Sequence, residues 1–361
     1  MVAPSEATCE RASRLSASQG VLALNSDLIP YARLLYAEGS RGPDIIHCHD
    51  WCTYPTAREL GDEYGRPVIG TAHSTSEPVA RWSGDLPDED VLMQERSLYK
   101  ECDILITVSA SLKSIIASTH GILDEKIRDE KIRVIHNGFD TTQFASASIT
   151  PDQKANMKRA IAKPDERIVL FAGRLTLEKG TVALFESAAK VVEQRKDVTY
   201  LIAGESGSLR SSQALEQLKE KYVRPGGKIK LLGRVERKQL AMLYQVADLA
   251  VAPSIYDSFG YAAVEAMAAG VAVVATRTGG LAEIIEDRKT GVLVPVYRNG
   301  NGEHKVDVER LTAAQIELLD DAPTRKRISE AGKRDALERF NLDRMVDSTV
   351  RLYCEVLSAR K

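Results

Sequence analysis

The sequence has few cysteines, no excess of either charge and no long apolar run, and each shortage closes off a class of protein. The five cysteines (Cys9, Cys48, Cys52, Cys102 and Cys354) are odd in number and scattered over 361 residues. They read as reduced thiols of a cytoplasmic protein, not as a disulfide framework. Lysine and arginine total 49 against 51 acidic residues, a net charge of -2. No basic excess or stripe marks a nucleic-acid partner. The longest apolar run, around residues 266–275, contains Gly270 and is too short to span a bilayer. The first thirty residues carry Pro4, Glu6, Glu10, Arg11 and Arg14 and no stretch of signal-peptide type. A soluble, cytoplasmic protein without a transmembrane segment is therefore expected. Peripheral membrane contact stays open, although no basic amphipathic helix supports it. Several catalytic signatures are absent as well: no Gly-x-Ser-x-Gly, no P-loop and no His-Glu-x-x-His.

What is present is a regular alternation. Apolar residues make up 43% of the chain, enough for two domains with cores of their own. Strand-like runs at 44–49, 67–73, 104–109 and 133–136 precede six more at 168–172, 199–203, 229–232, 249–252, 272–275 and 292–294. Helical stretches at 182–194, 214–222, 237–246 and 259–269 separate them, and a further helix is expected at 342–357. Continuous Val, Ile, Leu and Ala runs suit strands covered on both faces, so an α/β fold with parallel sheets is predicted. The second half has the strands of a complete doubly wound sheet. The first half shows only four, and an amphipathic helix near 21–36 takes the place of an opening strand and glycine-rich turn. The expectation is an N-terminal domain lacking its first strand. A tandem repeat, Asp-Glu-Lys-Ile-Arg at 124–128 and again at 129–133, is expected to be absorbed in the loop before the fourth strand.

The chemistry concentrates in residues 254–270. A strand ends near Pro253, a loop carries Asp257 and Ser258, and a helix is expected to run from Phe259 to a terminating Gly270. Asp257 or Ser258 is expected to cap it. The free amides around Phe259, Gly260 and Tyr261 would then favour an anion such as phosphate, at the carboxyl end of a strand where open α/β sheets hold ligands. Glu265 is the sole charge in a helix of Ala, Val and Met. A buried carboxylate needs a donor partner. Either a sugar diol or a nearby arginine or backbone group would supply one.

Here the sequence resembles a family. An acid followed eight positions later by Glu265, then Gly279-Gly280-Leu281-Ala282-Glu283, resembles the retaining GT-B glycosyltransferases of the glycogen-synthase-like class (group 1, family 4 type). Further pieces match in order: Ile46-His47-Cys48-His49-Asp50-Trp51, Thr71-Ala72-His73-Ser74-Thr75, Val134-Ile135-His136-Asn137-Gly138-Phe139-Asp140, the loop from Gly173 to Gly180, Ala203-Gly204-Glu205-Ser206-Gly207 and Leu232-Gly233-Arg234-Val235.

The resemblance implies two facing Rossmann-like domains with the active-site cleft between them. It places an incomplete acceptor-side domain at 1–140, a linker at 141–164, a nucleotide-sugar domain at 165–340 and a terminal helix at 341–361 that packs back on the first domain. It further implies a retaining hexosyltransferase that uses a nucleotide-sugar donor, UDP-sugar first and GDP- or ADP-sugar behind it, and a hydroxyl acceptor. Arg174 and Lys179 would hold the donor diphosphate, Glu265 the ribose, Asp257 the transferred sugar, and Val235 would lie near the base. The amides of Phe259, Gly260 and Tyr261 would touch phosphate or sugar, and His73 would approach the sugar from the first domain. No cofactor and no metal are required if Arg174 and Lys179 handle the developing charge.

One departure stands out, since the family usually has Glu where this chain has Asp257. The shorter side chain loses about an ångström of reach, which can alter sugar preference or rate in a positioned site. His47, Cys48, His49, Asp50 and Cys52 do not read as a metal site. His47 and His49 share a strand face that Cys48 leaves, and no second cluster completes zinc spacing. Asp88-Glu89-Asp90 reads as helix N-terminal charge, not as a metal-binding acidic motif. Two competing readings remain. One is a truncated or degenerate homologue that binds nucleotide-sugar without turnover. The other is a GT-B nucleotide-sugar epimerase.

Overall fold

The computed structural model describes residues 17–34, 42–83, 88–119, 129–145, 150–206 and 209–360. Residues 1–16 and the first copy of the five-residue repeat lie outside them. The chain divides into two compact units: Met1–His136 with Val346–Lys361, and Asn137–Met345.

The first unit opens with α1 (Ala17–Leu34), β1 (Ile46–His49) and α2 (Asp50–Tyr64). Next come β2 (Val68–Ala72), α3 (Ser76–Ser83), α4 (Glu89–Glu101), β3 (Ile104–Thr107), α5 (Ala110–Thr119) and β4 (Ile132–Val134). Its four strands pair in chain order, β1-β2-β3-β4, all parallel. Helix punctuation follows local chemistry. Asp88 caps α4 by accepting from the amides of Asp90 and Val91, so the acidic run is helix N-terminal charge. Gly65 ends α2 in the left-handed conformation, at φ 60°. The second copy of the repeat runs into β4, which already includes Ile132.

The second unit comprises α6 (Thr142–Ala145), α7 (Pro151–Ile161), β5 (Arg167–Ala172), α8 (Thr181–Gln194), β6 (Val198–Ala203), α9 (Leu209–Tyr222), β7 (Ile229–Gly233), α10 (Arg237–Val246) and β8 (Leu249–Ala252). It continues with α11 (Tyr261–Ala268), β9 (Ala272–Thr276), α12 (Leu281–Ile284), β10 (Val292–Val294), β11 (Val296–Arg298), β12 (His304–Val306), α13 (Val308–Asp320) and α14 (Ala322–Arg339). Helix α15 (Leu342–Ser358) follows, and its residues from Val346 onward group with the first unit. There Leu352 is buried with Ile69 and Ile106.

The six-stranded sheet runs β10-β9-β8-β5-β6-β7, all parallel. Strand order therefore reverses between β5 and β8, which makes the ends of those two strands the switch point of a doubly wound sheet. Every residue of β6, β8 and β9 is buried, as continuous apolar runs covered on both faces require. Phe171, Phe185, Tyr200, Leu249, Val274 and Leu318 lie in the core of this unit.

Three sequence expectations change. Residues 141–164, read as a linker, hold two helices and group with the second unit. Thr150 and Gln153 form a reciprocal capping box that starts α7 and gives this polar stretch a fixed structure. The antiparallel hairpin β11–β12 was not foreseen, because three-residue strands around an Asn-Gly turn carry too little alternation to register. Helix α11 starts at Tyr261 rather than Phe259. Among the described residues no helix is long and apolar enough to cross a membrane.

Candidate active site

Glycines let the loops at the switch point press backbone on backbone. Gly180, at φ 72°, begins α8 against the carbonyl of Pro253, where a Cβ would lie 1.8 Å from that oxygen. The carbonyl of Glu178 accepts from the amides of Ile255 and Tyr256 at 2.8 and 3.2 Å, stitching the loop after β5 to the loop after β8. On the other side the amide of Gly280 donates to Asp257 O at 2.8 Å, and a Cβ on Gly279 would lie 2.0 Å from the same oxygen. The Asp257 loop is thus clamped between the loops that follow β5 and β9.

That clamp sets the side chains. Lys179 Nζ lies 2.8 Å from Asp257 Oδ2, and both side chains are about one-fifth exposed (21% and 19%). Arg174 Nη2 sits 3.3 Å from Glu178 Oε1 but keeps 64% of its side chain exposed. Glu178 is buried and also accepts from Thr176 Oγ1 at 2.6 Å. Arg174 therefore projects into solvent from an anchored base, while Lys179 is held inward. A solvated loop side chain describes Arg174 but not Lys179.

The capping expectation is corrected. The N-cap of α11 is Gly260, at φ 107°, and no side chain caps the helix. Asp257 is drawn to Lys179 instead, and its Oδ1 accepts from the Phe259 amide at 3.3 Å. The Phe259 amide is therefore engaged, and Phe259 itself is buried. Among the described residues the amides of Gly260 and Tyr261 donate to no other group, leaving two donors at the positive end of the helix. At its other end the amide of Gly270 bonds Met267 O and that of Val271 bonds Ala266 O, the paired closure expected of a left-handed glycine.

Glu265 lies in the middle of α11 and is 8% exposed. Its partner is Arg237, whose Nη2 is 3.6 Å from Oε1. Sequence reasoning left an arginine pairing open but had no signal to single out Arg237. Burial lifts the carboxyl to about 7, and the attraction of Arg237 only partly offsets it. Val235 is half-buried in the loop between β7 and α10.

The shifted carboxyl predicts a stability effect. Its pKa rises from the ordinary 4.5 to about 7 on folding, so the folded chain loses stability as pH climbs through that window. Glu265→Gln has no ionisation to suppress. It is expected to raise the unfolding free energy of the second unit by about 1–3 kcal/mol near pH ~8, and by little near pH ~4. Urea unfolding at the two pH values checks this, and a variant less stable than wild type at the higher pH would contradict it.

In the first unit His73 follows β2 and is half-buried. Its amide donates to Asp50 Oδ1 at 2.7 Å, and its Nε2 lies 3.0 Å from His49 Nδ1. The His47 ring stacks on His49 at 4.7 Å, and His49 on His73 at 5.3 Å. His47 hydrogen-bonds Tyr353 Oη and Thr71 Oγ1 at 2.5 and 2.8 Å. Burial, then the neighbouring imidazoles, lower its pKa to about 4, so it stays neutral. Buried Glu95, which sequence reasoning missed, accepts from Thr75 Oγ1, Ser76 N and Ser76 Oγ and fixes the loop after His73.

A six-stranded doubly wound sheet, with inward lysine, outward arginine and free helix amides at its switch point, has the build of an α/β protein whose strand ends can hold an anionic ligand. The chain belongs to the group 1 glycosyl transferases: that family matches residues 152–335, and Glycosyltransferase Family 4 matches residues 6–143. It is 34% identical over 316 residues to an uncharacterized glycosyltransferase of Methanocaldococcus jannaschii, covering 86% of this chain and 75% of the relative. Sucrose-phosphate synthase from Thermosynechococcus elongatus shares the fold, with a TM-score of 0.76 at 22% identity over 95% of this chain and 80% of that one. So does Anabaena HepE, crystallised with UDP-glucose, with a TM-score of 0.73 at 20% identity over 93% and 82%. The fold class is GT-B, with two α/β units built on parallel sheets.

Proposed function

We propose that this glycosyltransferase moves a sugar from a nucleotide-diphosphate donor to a hydroxyl acceptor with retention at the anomeric carbon. The observation that carries this reading is the switch point itself. The Lys179–Asp257 pair, the exposed Arg174 guanidinium and the open amides of Gly260 and Tyr261 offer cationic and hydrogen-bonding contacts to a diphosphate. The same helix then carries buried Glu265, suited to a ribose diol.

In this reading Arg174 and Lys179 neutralise the charge that gathers on the leaving nucleotide as the glycosidic bond breaks. Asp257, released from Lys179 by the incoming phosphate, takes a hydroxyl of the sugar. Val235 borders the base. The departing phosphate oxygen accepts the proton of the acceptor hydroxyl, so no carboxylate base is needed and no metal is required. UDP-sugar is the favoured donor, in line with the UDP-glucose held by the fold-sharing Anabaena protein.

The test is nucleotide release across UDP-, ADP- and GDP-sugars, with and without candidate acceptors, followed by NMR of the product anomer. The expected result is release from UDP-sugar, insensitivity to a chelator, and an anomer matching the donor. His73→Ala, assayed alongside, measures what the first unit contributes. Nucleotide binding with no release across the panel would support the non-catalytic reading instead, and an inverted anomer would exclude retention.

A further inference from the structure

Arg237 stands in the first turn of α10, and no sequence pattern marks it. Its guanidinium lies over two aromatic faces, 5.2 Å from the centroid of Phe144 and 5.9 Å from that of Phe139. Those rings meet edge to face at 5.6 Å, and Phe144 meets Tyr244 at 5.9 Å, so the floor beneath the cation is packed. Ring faces attract a cation. Arg237 is thereby held with Nη2 3.6 Å from Glu265 Oε1, and among the described residues no closer donor reaches either carboxylate oxygen.

As a stabilising device this pair is poor. The Arg237 side chain is 54% exposed, so solvent screens its attraction, while Glu265 is almost fully withdrawn from water. An apolar residue at 265 would serve folding better. The arrangement makes sense if the carboxylate is needed.

We propose that Arg237 is a positioning residue for nucleotide recognition, keeping the Glu265 carboxyl ionised so that it accepts both hydroxyls of a ribose diol. The proposal rests on the reading above in which Glu265 grips the ribose. An ionised carboxylate accepts at both oxygens, whereas a protonated one spends an oxygen as a donor. Arg237 is the group that draws the buried carboxyl back toward ionisation.

The other titratable groups facing Glu265 are Tyr244 on α10 and Tyr261 on its own helix, and burial pushes both phenols up, so they stay neutral. From α14, Lys333 donates to Ala145 O, while Arg339 bonds Asp335 and the carbonyls of Glu283 and Ile284. The neighbouring α6, β8 and β9 carry no charged side chain. The ionisation of Glu265 therefore turns on Arg237.

The experiment titrates wild type, Arg237→Gln, Arg237→Lys and Glu265→Gln with UDP and with 2′,3′-dideoxy-UDP across neutral pH. The ratio of the two affinities isolates the hydroxyls, because the phosphates titrate alike in both ligands. In wild type the preference for UDP should climb as pH rises through the Glu265 range. Arg237→Gln should move that climb alkaline by about one pH unit, lowering the preference at neutral pH by about fivefold, with Arg237→Lys recovering part of it. A variant merely loosened in structure weakens both ligands together and leaves the ratio unmoved. Coincident profiles for wild type and Arg237→Gln would overturn the proposal alone. A wild-type ratio of one at every pH, unchanged in Glu265→Gln, would overturn the ribose reading and this proposal with it.

Discussion

Lys179→Met is expected to slow sugar transfer by about 10²–10³-fold while weakening nucleotide binding far less. The geometry gives the reason. Lys179 is four-fifths withdrawn from solvent, with Nζ held 2.8 Å from Asp257 Oδ2. On the function proposed above, a cation fixed in that position costs no reorganisation when charge builds on a leaving phosphate, and its effect grows as the bond breaks. Arg174 is more exposed and freer, so its loss should fall more on binding than on turnover. Because Lys179 and Asp257 hold each other, Lys179→Met combined with Asp257→Asn should cost much less than the product of the single losses. Steady-state turnover of the donor, with calorimetric titration of UDP, measures both effects. A Lys179→Met enzyme within about threefold of wild-type kcat would refute the charge-stabilising role.

Gly180→Ala should unfold the second unit far more readily than an ordinary glycine substitution does. Gly180 and Gly226 share nearly the same positive φ, 72° and 69°, so alanine meets left-handed strain at either. They differ in space: a Cβ on Gly226 has nothing within 4 Å, whereas one on Gly180 would lie 1.8 Å from Pro253 O. That backbone cannot yield without breaking the bonds from Ile255 and Tyr256 to Glu178 O. Gly226→Ala is expected to cost about 1 kcal/mol, and Gly180→Ala more than about 4 kcal/mol. For a unit of this size the second figure is a drop of roughly 8–16 °C in melting temperature. Equal melting shifts for the two variants, followed by near-ultraviolet circular dichroism, would show that the clamp does not hold the loops. Any Gly180→Ala protein that stays folded should also lose activity, since the displaced loop carries Asp257 away from Lys179.

Much of this fold could be read along the chain because its signals are local. The strand runs at 168–172, 249–252 and 292–294 differ from β5, β8 and β10 by at most one residue. A fully buried parallel strand is an apolar run and little else. The start of α11 departs from its sequence signal for an equally physical reason. Asp257 and Ser258 look like caps in sequence, but a lysine from another loop competes for the carboxylate, and Gly260 in the left-handed region turns the chain into the helix alone. The stretch at 141–164 looked like linker because its helices are short and polar, and its docking depends on a surface the sequence does not display.

The sequence by itself determined the parallel α/β class, the two-unit composition and the runs that become the main strands, since periodicity, apolar runs and glycine positions act over a few residues. Only the tertiary structure decided the strand order that puts the ends of β5 and β8 side by side, and with it the partners: Lys179 with Asp257, Glu265 with Arg237, His47 with Tyr353. Those pairs are far apart in the chain, and their free energies depend on burial and on distances of a few ångströms. No local rule encodes either quantity until the sheet has closed.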